Sequence, residues 1–192
     1  MNPCAYPYFT LHTPPSIEPV TLADTKLFLR VDSSAEDSLI TNLIVAARQK
    51  AENYLCRALI TQSWLLSYDA YAPAEAYLPK GPAQSITSVT TIDRLGNTTV
   101  MDSSAYYLNA GKDYLLFFAT PVGHRVEIIY VTGYGSSATD VPAAICQGIM
   151  MHVAQLYEGR EGADSLPAAV KELYAPYRVL RGNPPLNLGF RF

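Results

Sequence analysis

The sequence has few of the residues on which common catalytic and metal sites depend. It contains three cysteines and three histidines in 192 residues, and His12, His124 and His152 are far apart. Zinc sites take His and Cys ligands from short spacings such as H-E-x-x-H, and no such spacing occurs. A G-x-S-x-G motif and the glycine-lysine-serine ending of a phosphate-binding loop are also missing. We therefore predict no metal, no cofactor and no enzymatic activity.

Charge and long apolar runs are scarce as well. Charged residues make up 16% of the chain, the formal net charge is −3, and Lys and Arg are scattered. Nucleic-acid binding needs concentrated positive charge, so we expect no specific binding of DNA. No apolar run approaches the roughly 20 residues that cross a bilayer, and Met1–Thr10 shows no secretory leader. These absences predict a soluble, cytoplasmic protein without membrane contact.

The cysteines are too few and too dispersed for a disulfide framework. Cys4, Cys56 and Cys146 form an odd set without paired spacing, which favours a reducing compartment. Cys56 and Cys146 fall on predicted helices, where a small buried apolar residue is the common role. Fourteen tyrosines and a half-apolar composition, by contrast, provide ample amphipathic surface for contacts with other chains.

The stretch of residues 35–59 predicts one long amphipathic helix. Ser33 and Ser34 precede it, and the acidic Glu36 and Asp37 follow in the arrangement of a capped first turn. Apolar residues recur at intervals of three and four, which predicts one buried face. They are Leu39, Ile40, Leu43, Ile44, Ala47, Ala51, Tyr54, Leu55 and Ala58.

Residues 63–132 change to a period of two, which is typical of half-buried strands. Trp64 begins the first of these runs and is predicted to anchor the core rather than to bind a ligand. Glycine in the Leu95–Asn97 segment predicts a hairpin loop. We expect a compact antiparallel sheet of about five or six strands in this insertion.

Two helices are predicted after the strands. The first covers about 141–158, with Asp140 as its cap, Pro142 in its first turn and Gly159 at its end. The second covers about 166–175 and stops before Pro176. The predicted fold class is therefore α+β: a helical bundle that carries an antiparallel β-rich insertion.

The two ends differ from the central domain, 20–181. Residues 1–19 hold five prolines and several aromatic residues, which predicts an extended arm or plain disorder. In residues 182–192, Leu186, Leu188, Phe190 and Phe192 alternate with polar residues or glycine. This alternation predicts a tail that docks on a partner's sheet edge or groove.

Two groups could still support chemistry. His152 lies on the inner face of a predicted helix, and we expect a hydrogen-bonded core or interface histidine. The rival interpretation is a small cytoplasmic hydrolase that uses His152 with a nearby carboxylate. Glu158, Glu161 and Asp164 cluster near a helix end, where a solvated acidic turn is the simpler interpretation.

Several segments resemble the head-tail connector (adaptor) proteins of tailed phages, the gp6-like and phiE125 gp8-like proteins, together with gene-transfer-agent adaptors. The similarity covers roughly residues 18–181, and its order and spacing are more specific than any one segment. The segments are Thr21–Asp32, Ala46–Arg48, Glu52–Leu55, Ala58–Trp64, Leu78–Ile86, Tyr130–Tyr134, Asp140–Ile145, Leu156–Arg160 and Tyr177–Arg178.

The resemblance implies a structural protein of a virion or phage-like particle that is assembled in the bacterial cytoplasm. It implies a homo-oligomeric ring, expected to be a dodecamer, seated beneath the portal protein and above a stopper or tail-completion protein. DNA would pass through the lumen. A different neck or tail-completion protein of the same particle is the nearer alternative. The residues expected to contact the portal are Arg178, Arg181, Leu186, Leu188, Phe190 and Phe192.

Overall fold

The computed structural model describes residues 7–69, 73–159 and 165–179, which contain helices and antiparallel strands in the predicted α+β arrangement. The helices are α1 (Leu22–Leu29), α2 (Asp37–Leu55), α3 (Ala143–Glu158) and α4 (Ala168–Tyr174). The strands are β1 (Tyr8–Thr13), β2 (Gln62–Asp69), β3 (Glu75–Tyr77), β4 (Ala83–Ile92), β5 (Thr98–Val100), β6 (Tyr106–Leu108), β7 (Tyr114–Phe117) and β8 (Arg125–Thr132).

The helices pack around one apolar core. The apolar side of α2 contacts α3, α4 covers α3, and α1 lies against both α2 and α3. The period of three and four in α2 explains this packing, because it places the core side chains on one face of the helix. The helical residues with fully buried side chains are Ile40, Ala47, Ala51, Leu55, Ile145, Ile149, Val153, Val170 and Tyr174.

The long helix is shorter than predicted. It begins at Asp37, after a 3-10 turn over Ser34–Glu36, and its last residue is Leu55 rather than residue 59. Cys56 ends the helix in a left-handed conformation (φ +56°), and its amide donates to the carbonyl oxygen of Glu52, which also accepts Lys80 Nζ at 3.1 Å. Residues 58–60 are buried in a non-helical conformation, which explains why the apolar pattern continues past the helix.

The third helix starts at Ala143, two residues later than predicted. Asp140 does not cap it: its carboxylate accepts a hydrogen bond from the Ser137 amide at 2.9 Å within the capping box of a 3-10 turn. Pro142 occupies the position before the first helical residue. The missing N–H of proline costs little there, because the first amides of a helix have no partner within the helix.

The fourth helix was predicted at about 166–175 and is observed as Ala168–Tyr174. A 3-10 turn, Ala175–Tyr177, follows it directly and contains Pro176. Because proline cannot donate the next helical hydrogen bond, the tighter turn ends the helix without a break in the chain.

The β insertion forms two sheets instead of one. A five-stranded sheet has the order β1-β2-β8-β4-β5, and a three-stranded sheet has the order β3-β7-β6, with antiparallel pairing throughout. The two enclose a second core that includes Leu66, Leu115, Phe117 and Ile128. A period of two indicates which side chains share a face, but it does not identify the neighbouring strand.

Part of the predicted N-terminal arm lies in the larger sheet. Tyr8–Thr13 pairs antiparallel with β2 and forms one edge of that sheet. The Phe9 ring stacks on Trp64 with a centroid distance of 4.4 Å and an interplanar angle of 12°. Trp64 packs against the second core, in agreement with its predicted role as an anchor. Residues 1–6 lie outside the described part of the chain.

The two cores meet where the chain leaves β8. Gly133 has φ +127°, and a Cβ atom there would lie 2.7 Å from the backbone of Ile60. Directly beyond it, the amide of Thr61 donates to the carbonyl oxygen of Gly135 at 2.9 Å. Glycine is therefore required at position 133, both for its backbone conformation and for the close approach of the two chain segments.

Candidate partner-binding surfaces

Arg178 is the one predicted contact residue that the structure describes. Its guanidinium carbon lies 4.6 Å from the centroid of the Tyr54 ring, in a cation–π arrangement. The next residue, Val179, donates its amide hydrogen to the carbonyl oxygen of Leu55 at 3.0 Å. The segment that leads into the C-terminal tail is thus fixed against the end of α2. The other predicted contact residues lie outside the described residues: Arg181, Leu186, Leu188, Phe190 and Phe192.

Arg178 belongs to a small surface that also contains Tyr54, Arg57, Tyr134 and Tyr177, named here the Arg57–Arg178 surface. Arg57 Nε donates to the carbonyl oxygen of Tyr177 at 2.8 Å. Burial raises the pKa of Tyr134, and the nearby positive charge of Arg57 acts in the opposite direction. Arginine and tyrosine are the residues most enriched at protein interfaces, so this composition suits contact with another protein.

A second surface was missed from the sequence: the outer face of the five-stranded sheet. The strand register places Tyr8, Leu65, Ile129, Val131 and Val100 on this face. Tyr8 and Val100 are 66% and 69% exposed, and the three central residues are half-buried without joining either core. Serine and threonine fill most of the remaining positions. The alternation of β2 and β8 was visible in the sequence, but the register of β1 and β5 was not.

Three apolar residues on the helical side of the molecule are exposed. Leu27 and Phe28 of α1 are 80% and 40% exposed, and Leu39 in the first turn of α2 is 49% exposed. The Lys26–Asp37 ion pair, with Nζ and Oδ1 2.6 Å apart, holds the end of α1 beside the start of α2. We call these three apolar residues the α1–α2 patch.

His152 does not have the environment of a catalytic residue. It is 3% exposed, and neither ring nitrogen has a hydrogen-bond partner among the described residues. The predicted burial is confirmed, whereas the predicted hydrogen bond does not form within the described part of the chain. Burial lowers the pKa of His152, and the positive charge of Lys50 lowers it further. A hydrolase based on this residue is therefore excluded, because substrate could reach neither nitrogen.

A shallow depression between two loops is lined by Asp93 and His124. The Asp93 carboxylate accepts hydrogen bonds from the side chain of Asn97 at 2.8 Å and from the amide of Leu95 at 2.8 Å. These bonds lower the pKa of Asp93, with the Asn97 side chain as the largest cause. The carboxylate shapes the hairpin turn and is not available for proton transfer.

The remaining polar clusters are structural where they are described. Ser33 and Ser137 accept hydrogen bonds from backbone amides at the starts of 3-10 turns, as expected of caps. Glu158 is exposed at the end of α3, while Glu161 and Asp164 lie outside the described residues. Cys56 and Cys146 are half-buried. Within the described ranges, no group of three metal-binding side chains occurs, and no helix is long and apolar enough to span a membrane.

The fold is similar to that of chains in solved gene transfer agent (GTA) particles. It matches a chain in the neck of an empty GTA particle computed with C6 symmetry, at 24% identity and a TM-score of 0.78, over 91% of this chain and 97% of that chain. A chain from the virion of a native gene transfer agent matches at 24% identity and a TM-score of 0.77, over 91% of this chain and 96% of that chain. A chain from the neck of a native GTA particle computed with C12 symmetry matches at 24% identity and a TM-score of 0.69, over 90% of this chain and 97% of that chain.

The family comparison points to the same class of protein. No curated protein matches the sequence. Residues 19–105 match the family model of the phage gp6-like head-tail connector protein. This match confirms the resemblance predicted from the sequence. Residues 19–105 of this chain are thus similar to the phage gp6-like head-tail connector proteins.

Proposed function

We propose that this protein is a head-tail adaptor that forms a ring in the neck of a tailed phage or gene-transfer particle. The observation that carries the proposal is the agreement between the connector match over residues 19–105 and a fold shared with particle-neck chains over nine-tenths of the length. The ring lies beneath the portal protein and above a stopper or tail-completion protein. It acts by shape and contact and performs no chemistry.

The ring consists of copies in head-to-tail contact, and twelve copies is the expected number. Two of the similar chains come from particle necks whose structures were computed with C6 and C12 symmetry. Both symmetries are compatible with twelve subunits. In a closed ring of identical copies, each subunit contacts one neighbour through one patch and the other neighbour through a different patch. The separate apolar surfaces on the sheet and on the helices meet that requirement.

The C-terminal segment provides the contact with the portal. Its anchored start lies at Arg178, where the guanidinium stacks on Tyr54 at the end of α2. The sequence beyond it alternates apolar residues with polar residues or glycine and contains no acidic side chain. An extended segment of this kind can insert into a groove or add to a sheet edge of another protein.

DNA passes through the ring without being held. The net charge of −3 gives the chain no excess of cations to retain a polyanion. Acidic side chains that face the lumen keep the passing DNA from adhering. Strong, salt-sensitive retention of DNA by the isolated protein would contradict this part of the proposal.

The test uses particles produced from a genome that lacks this gene. Purified protein is added to such particles and to isolated portal rings, and the mass of each complex is measured. We expect one ring of copies per portal, and loss of portal binding when residues 182–192 are deleted. Normal portal binding by the truncated chain would overturn the role of the tail. Attachment to an isolated tail, but not to the portal, would identify a tail-completion protein instead.

A further inference from the structure

The Arg57–Arg178 surface presents two guanidinium groups with unused hydrogen-bond donors. Arg57 Nε donates to the carbonyl oxygen of Tyr177 at 2.8 Å, and within the described ranges the Nη atoms of Arg57 have no partner. The guanidinium carbon of Arg178 lies 4.6 Å from the centroid of the Tyr54 ring, and within the same ranges no guanidinium nitrogen of Arg178 has a hydrogen-bond partner. Neither arginine forms an ion pair with another described residue. A planar guanidinium with free donors is well matched to a carboxylate.

The fold holds both groups in place before any partner binds. The Nε hydrogen bond orients Arg57, and the Val179 amide donates to the carbonyl oxygen of Leu55 at 3.0 Å, which fixes the segment that carries Arg178. A side chain that is already ordered loses less conformational freedom on binding, so it binds more tightly. The remaining members of the surface are tyrosines, which add apolar rings and no carboxylate. A surface of this composition fits a partner segment with carboxylates and exposed apolar side chains.

Residues 22–39 of the same chain have that complementary character. They contain four carboxylates against two cations, a net charge of −2. The side chain of Asp32 is exposed, and within the described part of the chain it has no hydrogen-bond or ion-pair partner. The α1–α2 patch lies in the same segment and provides exposed apolar side chains. The acidic residues of the segment are Asp24, Asp32, Glu36 and Asp37, and the basic residues are Lys26 and Arg30.

We propose that the Arg57–Arg178 surface of each copy binds residues 22–39 of the next copy in the ring. The Asp32 carboxylate accepts hydrogen bonds from the guanidinium groups, and the α1–α2 patch packs against the tyrosine rings. This inference rests on the proposed function, because it names the two surfaces that join neighbouring subunits of that ring. A surface with two positive charges thus meets a segment with a net charge of −2.

The long helix α2 separates the two surfaces within one chain. It has 19 residues and is therefore about 28 Å long, with Asp37 in its first turn and Tyr54 in its last turn. The acidic segment of one copy thus cannot reach the Arg57–Arg178 surface of the same copy. Two different patches at opposite ends of one subunit form a head-to-tail contact, the type from which rings of identical chains are built. The residues beyond Val179 remain available to the portal.

The first test exchanges the two charges in chains that are added to gene-deleted particles. Arg178→Glu and Asp32→Arg should each reduce the fraction of protein found in rings by about tenfold, because each change places like charges opposite each other. The double variant with both changes should recover a substantial part of that fraction. Arg178→Glu combined with Glu75→Arg is the matched control, because Glu75 is exposed on β3, and it should recover nothing. Equal loss in both double variants would overturn the pairing.

Site-directed crosslinking in the same rings tests the contact directly. Cys4, Cys56 and Cys146 are first replaced by serine, and Ala35→Cys and Tyr134→Cys are introduced in separate chains. Both positions are exposed, one beside the acidic residues and one in the Arg57–Arg178 surface. A short bis-maleimide should link the two variants when they are mixed and should give only background with either alone. A chain that carries both cysteines should give a ladder of linked multimers, because each copy is joined to both neighbours.

Leu95→Cys is the control for Ala35→Cys, because Leu95 is 88% exposed and lies on a hairpin tip outside both surfaces. It should give no crosslink to Tyr134→Cys. Rings of normal mass without a crosslink between positions 35 and 134 would overturn the inference, and the proposed function would still stand.

Two further outcomes are decisive. Salt-sensitive retention of duplex DNA by the rings, abolished by Arg178→Glu, would overturn the inference, because the free guanidinium groups would then bind phosphates. If the wild-type chain joins neither particles nor portal rings, the proposed function itself fails and this inference fails with it. Recovery by the Asp32 exchange would also separate this contact from a portal contact of Arg178, which a change at Asp32 could not restore.

Discussion

Glu52 on α2 and Gln62 at the start of β2 are joined by a hydrogen bond from Gln62 Nε2 to Glu52 Oε1, 2.8 Å long. The same carboxylate oxygen accepts the amide of Leu59 at 2.9 Å, and the other accepts Arg48 Nη1 at 3.1 Å. All of these groups are buried, so one side chain connects the helical core to the chain segment that enters the sheet.

Glu52→Ala is expected to lower the free energy of unfolding by about 1–3 kcal/mol, because it leaves the buried Leu59 amide and Gln62 side chain without this partner, while Arg48 keeps its ion pair with Glu18. Denaturant unfolding followed by circular dichroism measures the change. Glu172→Ala, at an exposed position on α4, should shift the free energy by no more than about 0.5 kcal/mol. A similar small shift for both variants would show that the buried network contributes little.

Gly148→Ala should destabilise the protein, although alanine favours helices. A Cβ atom at Gly148 would collide with the buried ring of Tyr174, where α3 crosses α4. Overpacking of this kind costs about 1–3 kcal/mol and outweighs the roughly 1 kcal/mol gained in helix propensity. Thermal unfolding measures the balance. Gln147→Ala on the same helix is the control, and an increase in melting temperature for Gly148→Ala would contradict the predicted clash.

Phe9→Ala should release the edge strand β1. Loss of the stacked ring removes about 0.5–1.5 kcal/mol of stabilisation in addition to the contribution of the buried apolar area. It also exposes one face of Trp64 to water. Because Trp64 is the one tryptophan of the chain, its fluorescence emission should move to longer wavelength without interference. Tyr8→Ala is the control, because Tyr8 faces the opposite side of the sheet. Unchanged emission in Phe9→Ala would show that the contact is not maintained in solution.

His152 should make stability depend on pH. Burial lowers its pKa in the folded protein below the ordinary value of 6.5. The unfolded chain therefore takes up the proton more readily, and the free energy of unfolding falls as the pH drops below about 6.5, levelling off below the folded pKa. Denaturant midpoints at pH 7.5 and pH 5.5 measure the loss. His152→Leu should reduce it, while the exposed His124→Leu should not. Equal losses in all three proteins would assign the effect to other groups.

Local patterns in the sequence were sufficient to predict the elements and the class of the fold. The spacing of Ile40, Ile44 and Ala47 predicted the buried face of α2, and the alternation around Ile128 predicted a strand, because both depend on neighbours a few residues away. The ordered segments that resemble connectors predicted the similarity that the family model shows over residues 19–105. The end of α2 was misplaced because Cys56 takes a left-handed conformation that ends the helix, although the apolar spacing continues to Ala58.

The tertiary structure alone decided how these elements meet. It divided the strands into two sheets, placed Phe9 on Trp64, left His152 without a hydrogen-bond partner among the described residues, and aligned Leu65 with Ile129 on an uncovered face. The sequence by itself determined the positions of the main helices and of strands such as β2 and β8, since these follow from residue type and short-range periodicity, but it did not predict that Tyr8–Thr13 forms a strand of the larger sheet. Strand partners and surface patches depend on contacts between distant residues, which periodicity does not encode.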